Sequence, residues 1–365
     1  MLLGHKRFQS YVANAFKEGD LAIVRRLKNP AQAYLTKPLK KGVVVQTHNG
    51  EFSHDDIIGK PKRVYLRYRM KENKKVNIGD DKFIVTEPTL DEYTSLVKRL
   101  AQPIYSFDAS ILVQLADIDV DFSKIIGGTS EMKLENHPKH FLEAGTGNGS
   151  LTLSICNAIH AANNLAKHYN DKSLRGAILH SVDRNRMHSS VGKANVSNYK
   201  NGRYLDDVEF YISENPSAWL KEHMQQNENS DPYLSGVFLD LPNPEAYLHD
   251  IARHMKLEAT LIVFCPSVTQ ILQCKKLIED SRRVSADVYQ KSDKLIDLTL
   301  TKTIELPPGN GGGTREWDVK TVFTRDSEEN VSICRPKVGL KVVGGGFVGV
   351  FKKSSVNGED FNLSL

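Results

Sequence analysis

The sequence is poor in cysteine, in tryptophan and in long apolar runs. Its 365 residues include only four cysteines and two tryptophans. The cysteines are scattered without C-x-x-C spacing, which argues against a disulfide framework and a zinc site. We therefore expect free thiols in a reducing compartment and no bound metal. No apolar run approaches the roughly 18 residues that a membrane span requires, so we expect a soluble protein with no membrane partner.

The composition is that of an ordinary folded protein, with 40% hydrophobic and 25% charged residues. The formal net charge of +5 suits a polyanionic partner and is equally compatible with a basic solvated surface. Residues 1–17 carry Lys6, Arg7 and Lys17 and no acidic residue, which is typical of a mitochondrial presequence. A mitochondrial location is the expectation, with a nuclear or cytoplasmic location left open.

The first part of the chain has short β-rich runs separated by turn signals, which predict a small β-barrel-like domain over residues 1–88. The runs are residues 21–24, 42–47, 63–68 and 82–86. Asn49-Gly50 is a hairpin turn signal after the second run. Residues 89–100 follow a proline and have helical composition.

The larger part, residues 89–355, alternates apolar strand-like runs with longer helical stretches, which is the order of a parallel sheet covered by helices. The fold class is therefore α/β, with a Rossmann-like domain following the small β domain. The predicted strands are residues 140–143, 177–182, 208–212, 236–239 and 260–264, then 296–305 and 347–351. The predicted helices are residues 151–169, 186–199, 245–255 and 268–280. Polar insertions at 123–138 and 224–231, a glycine-rich loop at 307–314 and a flexible tail at 356–365 complete the prediction.

A glycine-rich loop follows the first of these strands and opens a helix. Gly145, Gly147 and Gly149 let the backbone turn tightly and approach a ligand, and Glu143 stands at the end of the strand. The spacing differs from the G-x-G-x-x-G of nicotinamide enzymes. E-x-G-x-G-x-G resembles the pattern of class I methyltransferases, whose ligand S-adenosylmethionine presents a positive amino group and a sulfonium. A turn without a ligand and a different nucleotide site are the alternatives.

Acidic residues also follow the next two predicted strands. Asp183 stands where a carboxylate would accept hydrogen bonds from both ribose hydroxyls of an adenosine, although it is also a natural helix N-cap or loop residue. Ser213 and Glu214 follow the third strand, where they would face the adenine or serve only as loop residues.

Asp240 follows the fourth strand in the sequence Leu239-Asp240-Leu241-Pro242. This is the place beside the switch point of the sheet where the methyl acceptor of a class I methyltransferase would lie, such as a base. Methylation of adenine N1 is an in-line displacement that needs positioning and a hydrogen-bond acceptor. Asp240 would accept from the exocyclic amino group; a loop cap is the alternative role.

Several segments together resemble the tRNA (adenine-58-N1)-methyltransferase family over nearly the whole chain. They are residues 16–20, 53–60, 102–105 with Asp108, 143–149 and 239–242, then Arg315 with Trp317 and residues 335–336. The resemblance implies a Rossmann-like catalytic domain, S-adenosylmethionine as cofactor, tRNA as partner and a tetramer. It implies a cofactor pocket lined by Gln102, Tyr105, Glu143, Gly145, Thr146, Gly147, Asn148, Gly149, Ser150, Asp183, Glu214 and Asp240, with Asp240 also the catalytic carboxylate.

The chain departs from the family pattern at a few positions. Where the family usually has Y-P-K-D, this chain has Tyr105-Ser106-Phe107-Asp108. Asn148 stands where the family has Ser or Ala in G-S-G, and Glu245 stands where it has an aromatic residue after D-L-P-x-P. A His-Thr pair near the end is replaced by glycines 344–346. Alternatives to an active tRNA methyltransferase are therefore a catalytically impaired RNA-binding or assembly subunit, and a methyltransferase of another RNA or a small molecule.

Overall fold

A computed structural model describes residues 15–27, 29–47, 50–67, 82–126, 133–227, 232–287, 295–306, 317–324, 329–336 and 345–354. The first strands are β1 (Ile23–Arg26), β2 (Asn29–Leu35), β3 (Val44–Thr47), β4 (Gly50–Ser53), β5 (Arg63–Arg67) and β6 (Lys82–Thr86). Four of them form an antiparallel sheet in the order β2-β1-β6-β5, and β3 and β4 form a separate hairpin. This small β unit has its own core, which includes Phe16, Val24, Phe52, Phe83 and Val85.

The remaining strands form one large sheet and two small hairpins. They are β7 (Ile125–Ile126), β8 (Lys133–Leu134), β9 (Lys139–Ala144), β10 (Ala177–Asp183), β11 (Val208–Ile212), β12 (Leu234–Leu239), β13 (Met255–Cys265), β14 (Leu298–Leu306), β15 (Trp317–Thr324), β16 (Glu329–Pro336) and β17 (Gly346–Lys353). The large sheet has the order β11-β10-β9-β12-β13-β17-β14. Its strands are parallel from β11 to β13, whereas β17 runs antiparallel to β13 and β14.

Helices cover both faces of the large sheet. They are α1 (Leu90–Leu96), α2 (Ser106–Ala116), α3 (Ser150–Ile159), α4 (Asn164–Tyr169), α5 (Arg186–Asn198), α6 (Pro216–Asn227), α7 (Leu248–His254) and α8 (Val268–Asp287). Successive strand residues face opposite cores because side chains alternate along a strand. Phe141 packs with Leu153 and the α2–α3 side, whereas Leu142 packs with Trp219 and the α6–α8 side. This two-sided core confirms the predicted α/β class.

Local signals explain where two of the helices begin. Thr89 accepts a hydrogen bond from Glu92 N–H, and the Glu92 side chain accepts from Thr89 N–H, which forms a capping box at the start of α1. The Asn185 side chain accepts from the N–H groups of Met187 and His188 at the start of α5. Both caps satisfy backbone donors that a helix leaves free in its first turn.

Most predicted elements are confirmed, and some of their bounds are wrong. The helix predicted over 89–100 ends at Leu96, and the single helix over 151–169 is interrupted by a 3₁₀ turn at His160–Asn163. The polar segment 224–231 is helical up to Asn227, where α6 ends. Sequence reasoning missed α2, α6, β2, β4 and the β15–β16 hairpin. The glycine-rich loop 307–314 and the tail 356–365 lie outside the described residues, as does most of the proposed presequence.

Contacts join the small β unit to the large one near the predicted boundary at residue 88. The Arg25 guanidinium pairs with Glu92 on α1, and the Asn201 amide donates to Asp20 Oδ1 at 2.5 Å. No helix in the described ranges is long and apolar enough to cross a membrane. Cys156, Cys265 and Cys274 are buried free thiols.

Candidate active site

The candidate site lies where three neighbouring parallel strands end. Ala144 is level with Val182 of β10 on one side and with Leu239 of β12 on the other. The residues that follow these partners are therefore Asp183, Gly145 and Asp240, side by side at the carboxyl edge of the sheet. The chain order changes direction between β9 and β12, and such a switch point is where doubly wound sheets bind their ligands.

The glycine loop is held by backbone hydrogen bonds from both neighbours. Gly145 N–H donates to Val182 O at 2.9 Å, and Asp240 N–H donates to Ala144 O at 2.9 Å. Gly145 has φ +107°, and a Cβ atom there would lie 2.2 Å from Asp240 O. Only glycine allows this backbone to lie so close to Asp240.

Glu143 is completely buried beneath this loop. Its Oε2 accepts hydrogen bonds from Ser181 Oγ at 2.6 Å and from Thr152 Oγ1 at 2.7 Å. Its Oε1 is buried without any hydrogen-bond donor among the described residues. Burial raises the pKa of Glu143 to about 8, and the negative charges of Asp240 and Asp183 also raise it. A buried acceptor without a partner is costly unless a ligand supplies a donor.

Asp183 is buried and oriented by the backbone. Its Oδ2 accepts from Gly147 N–H at 3.1 Å and its Oδ1 accepts from Asn185 N–H at 2.8 Å. Each carboxylate oxygen has a second lone pair, so Asp183 can still accept from two further hydroxyl groups. Ser213 N–H donates to Asp183 O, so the end of β11 lies beside the end of β10. The exposed Glu214 is the residue that follows Ser213.

Asp240 is half-buried at the end of β12. Burial, together with the negative charge of Asp183, raises the pKa of Asp240 to about 7. The charges of Asp183 and Asp240 raise the pKa of Glu143, and the charge of Asp183 raises that of Asp240, so the three carboxyl groups lie in one cluster. Such a cluster of acceptors favours a ligand with positive charge.

The other loop side chains contact the protein itself. Asn148 Oδ1 accepts from Leu100 N–H at 2.8 Å and from Ala101 N–H at 3.3 Å, and its Nδ2 donates to Ala101 O at 2.5 Å. Ser150 Oγ donates to Ile104 O at 2.6 Å, and Thr146 Oγ1 lies 2.8 Å from Ser181 Oγ.

These bonds bring the segment with Gln102 and Tyr105 against the glycine loop. Gln102 is exposed, whereas Tyr105 is half-buried with the Arg99 guanidinium 5.5 Å from its ring centroid.

Sequence reasoning missed four residues that build this site: Ser181, Thr152, Gly192 and Asn195. A Cβ at Gly192 would lie 2.7 Å from Thr146 Cγ2 and 3.3 Å from Gly149 N, so the absence of a side chain at Gly192 allows α5 to pack against the loop. Asn195 Nδ2 donates to Asn148 O at 2.9 Å. Ser181 is a polar residue within a buried strand, and it is the one of these four residues that the sequence could have indicated.

Several known proteins are similar to this chain in sequence or in fold. The chain is 26% identical over 289 residues to the tRNA (adenine(58)-N(1))-methyltransferase TrmI of Thermus thermophilus, with 79% of this chain and 84% of that protein covered. The chain is thus similar to the tRNA (adenine-58-N1)-methyltransferases. It is also 24% identical to the catalytic subunit TRM61 of Eremothecium gossypii over 72% of this chain and 57% of that protein. No family model matches the chain.

Two solved structures share the fold at low sequence identity. A SAM-dependent O-methyltransferase from Thermotoga maritima aligns with a TM-score of 0.60 and 14% identity, covering 95% of this chain and 97% of that one. The tRNA (m1A58) methyltransferase TrmI from Aquifex aeolicus aligns with a TM-score of 0.55 and 18% identity, covering 94% and 100%. The fold is that of class I methyltransferases, as the glycine loop predicted.

Proposed function

We propose that this chain is an S-adenosylmethionine-dependent methyltransferase that modifies N1 of an adenine in the T-loop of tRNA, at position 58. The observation that carries the proposal is the placement of Glu143, Asp183 and Asp240 at the ends of adjacent strands around the glycine loop. The sequence similarity to TrmI supports the choice of tRNA adenine over other methyl acceptors.

The residues present fit the cofactor. The unsatisfied Oε1 of Glu143 suits a positively charged amino group, and the free lone pairs of Asp183 suit two ribose hydroxyls. The backbone of residues 145–149 forms the cradle between them, with Gln102, Tyr105 and Glu214 at its margins. When bound there, the sulfonium supplies an electrophilic methyl group.

Asp240 acts on the base. Its carboxylate accepts a hydrogen bond from the exocyclic amino group of adenine, which raises electron density at N1 and aligns the N1 lone pair for in-line displacement. After transfer, Asp240 would accept a proton from the exocyclic amino group, which removes the positive charge that methylation leaves on the ring. The target base must leave its stack to reach this edge of the sheet, at a cost of roughly a few kcal/mol.

Methylation of an unmodified tRNA transcript tests the proposal. The purified protein and S-adenosylmethionine are incubated with the transcript, and nucleosides are analysed by mass spectrometry. We expect 1-methyladenosine with the wild-type transcript and none when adenine 58 is replaced by guanine. Product on the substituted transcript would contradict the proposed position, and absence of any product would contradict the activity.

Cofactor titration separates an enzyme from a non-catalytic subunit. We expect saturable binding of S-adenosylmethionine by the purified protein, and weaker binding by Glu143→Gln. A protein that binds tRNA but no cofactor would be an assembly or RNA-binding subunit instead.

We also infer a tetramer, either homomeric or with a second kind of subunit, and residence in mitochondria. The name of the TRM61 relative, a catalytic subunit, supports a heteromeric assembly, and the basic, acid-poor residues 1–17 support the location. Light scattering of the purified protein tests the first inference. Nucleoside analysis of separated mitochondrial and cytosolic tRNA from cells lacking the protein tests the second.

A further inference from the structure

The positive charge of this protein is concentrated in residues 1–88, the part of the sequence that includes the small β unit. Residues 1–88 contain 18 of the 49 basic residues and 9 of the 44 acidic ones. This part therefore carries a formal charge of +9, whereas residues 89–365 carry −4. A polyanion would consequently be attracted to the part that includes the small β unit rather than to the unit that holds the candidate active site.

Only some of these cations are available to a ligand. Arg25 pairs with Glu92, and Lys62 pairs with Glu87. Arg63 and Arg67 on β5 have no acidic partner among the described residues, and both are exposed.

β5 presents a distinct surface because it is an edge strand with alternating burial. Val64 and Leu66 are partly buried and pack on the core of the small unit. Arg63, Tyr65 and Arg67 point to the other face, where Tyr65 leaves 55% of its surface exposed. We call these three residues the β5 face. Its two guanidinium-bearing residues are four positions apart, roughly 13 Å along a strand.

A groove lies beside this face. Leu27, Tyr65, Leu66 and Arg67 line a space of about 350 Å³. Apolar walls with one aromatic ring and one guanidinium form a suitable seat for a flat nucleobase, because every base has a face that stacks on aromatic rings.

From these observations we infer that the β5 face binds RNA, with Arg63 and Arg67 on backbone phosphates and Tyr65 stacked on an unpaired base beside the groove. This inference rests on the proposed function, since it takes tRNA as the polyanion that meets the +9 unit. The face lies outside the glycine loop and its carboxylates, so it adds affinity and orientation without taking part in methyl transfer.

Salt-dependent binding of tRNA tests the inference without any need for catalysis. The variants are Arg63→Gln with Arg67→Gln, Tyr65→Ala, and Tyr65→Phe as the variant that keeps the ring. The matched charge control is Lys276→Gln with Lys302→Gln, which removes two exposed cations from the large unit. Affinity for a tRNA transcript is measured between about 50 and 200 mM salt, a range in which binding through phosphate contacts weakens steeply.

We expect the double arginine variant to bind more weakly and to lower the slope of log K against log salt by about 1.4 to 1.8, the loss for two phosphates. Tyr65→Ala should weaken binding by about 5- to 100-fold, whereas Tyr65→Phe should stay close to the wild type. Cofactor affinity should be unchanged in all variants.

Three results would overturn the inference. One is an unchanged salt slope in the double arginine variant. Another is an equal loss of tRNA affinity in the lysine control, which would show that only the net charge of the protein matters. The third is a change of oligomeric state in light scattering with tRNA affinity intact, which would make β5 a contact between copies. Failure of the proposed function alone would give another result, because tRNA would still bind through the β5 face but would carry no new methyl group.

Discussion

Gly145 and Asp240 lie so close that their backbones leave no room for a side chain between them. A Cβ on Gly145 would lie 2.2 Å from Asp240 O and 3.1 Å from Asp240 C, and Gly145 has φ +107°. The loop that would hold the cofactor and the carboxylate that would act on the base are therefore positioned by the same contact.

Gly145→Ala should consequently impair cofactor binding and methyl transfer together. The new methyl group must displace Asp240 or the loop, and a misplacement of about 1 Å can cost roughly 100-fold in rate. Gly59→Ala is the control, because Gly59 lies outside the site and also has positive φ, with nothing within 4 Å of its Cβ position. Steady-state kinetics with both substrates and thermal unfolding check the prediction. Equal effects of the two substitutions would show that the Gly145–Asp240 contact is not the reason for the loss.

Asp240→Ala should lower methyl transfer by about 10²- to 10⁴-fold and leave cofactor affinity nearly unchanged. Because the pKa of Asp240 is raised to about 7, the acceptor form becomes populated as the pH rises through neutrality. At saturating S-adenosylmethionine, the value of kcat/KM for tRNA in the wild type should therefore increase from pH 6 to pH 8 and then level off. Asp240→Asn should lose this inflection. An unchanged pH profile in Asp240→Asn would assign the titration to another group.

Glu143 should couple cofactor binding to proton release. Its pKa of about 8 means that the free protein holds this carboxyl largely protonated at pH 7. A cationic ligand at the unsatisfied Oε1 favours the charged form, so binding should release up to one proton at pH 7 and become tighter as the pH rises towards 8. Calorimetry in buffers of different ionisation enthalpy measures this release.

Glu143→Gln should bind S-adenosylmethionine on the order of tenfold to 100-fold more weakly, as expected for a lost charge-assisted hydrogen bond. It should also release no proton on binding. Wild-type binding that is independent of buffer ionisation would contradict this role for Glu143.

Sequence reasoning predicted which residues meet at the candidate site because the main features of that site are local. Gly145, Gly147 and Gly149 follow one strand directly, and Asp183 and Asp240 follow two others. The prediction of these strands was therefore sufficient to place the five residues at one edge of the sheet. The partners of Glu143 were not predictable in the same way. Ser181 and Thr152 reach it only through the register of β10 against β9 and the packing of α3.

The missed elements have physical explanations. α6 is rich in polar residues, and among its residues 216–223 only Pro216, Trp219 and Leu220 are buried, so its helical periodicity is weak. The β15–β16 hairpin pairs Val322 with Val331, but the sequence analysis predicted only a glycine-rich loop between the strands at 296–305 and 347–351. Asn148 is assigned to the cofactor pocket by resemblance, and that assignment stays a prediction, since its side chain bonds to residues 100 and 101.

Asn148 should act as a positioning residue for the segment that carries Gln102 and Tyr105. Asn148→Ala leaves two backbone donors and one acceptor without their partner, at about 1 kcal/mol each, so unfolding free energy should fall by roughly 1–3 kcal/mol. Amide exchange at residues 98–105 should become faster, and KM for the cofactor should rise more than kcat falls.

Asn148→Ser carries the residue usual in the resembling family and tests how far a shorter side chain can hold the same segment. We expect an intermediate effect, because one hydroxyl replaces an amide with two hydrogen-bonding ends. Ser110→Ala, which removes an exposed hydroxyl on α2, is the control. Protection of residues 98–105 that is unaltered in Asn148→Ala would refute the positioning role.

The histidine pair His140 and His180 should lose its contribution to stability in mild acid. His140 Nδ1 lies 2.9 Å from His180 Nε2, and burial lowers the pKa of His140 to about 4 and that of His180 to about 3. The unfolded chain takes up protons near the ordinary histidine pKa of about 6.5, whereas the folded protein does not. The contribution of the pair is therefore complete above about pH 6.5 and falls towards pH 4, by up to about 1.4 kcal/mol per pH unit for each histidine. Glu143 and Asp240 act in the opposite direction over this range, because their pKa values are raised in the fold.

Urea unfolding of the wild type and of two variants at pH 7, 6 and 5 separates the histidine contribution. Relative to the wild type, His180→Asn should lose up to about 1.4 kcal/mol per pH unit from the dependence of stability on pH, and His168→Asn, at an exposed position, should show the wild-type dependence. A His180→Asn dependence equal to that of the wild type would show that this pair is not kept neutral in the fold.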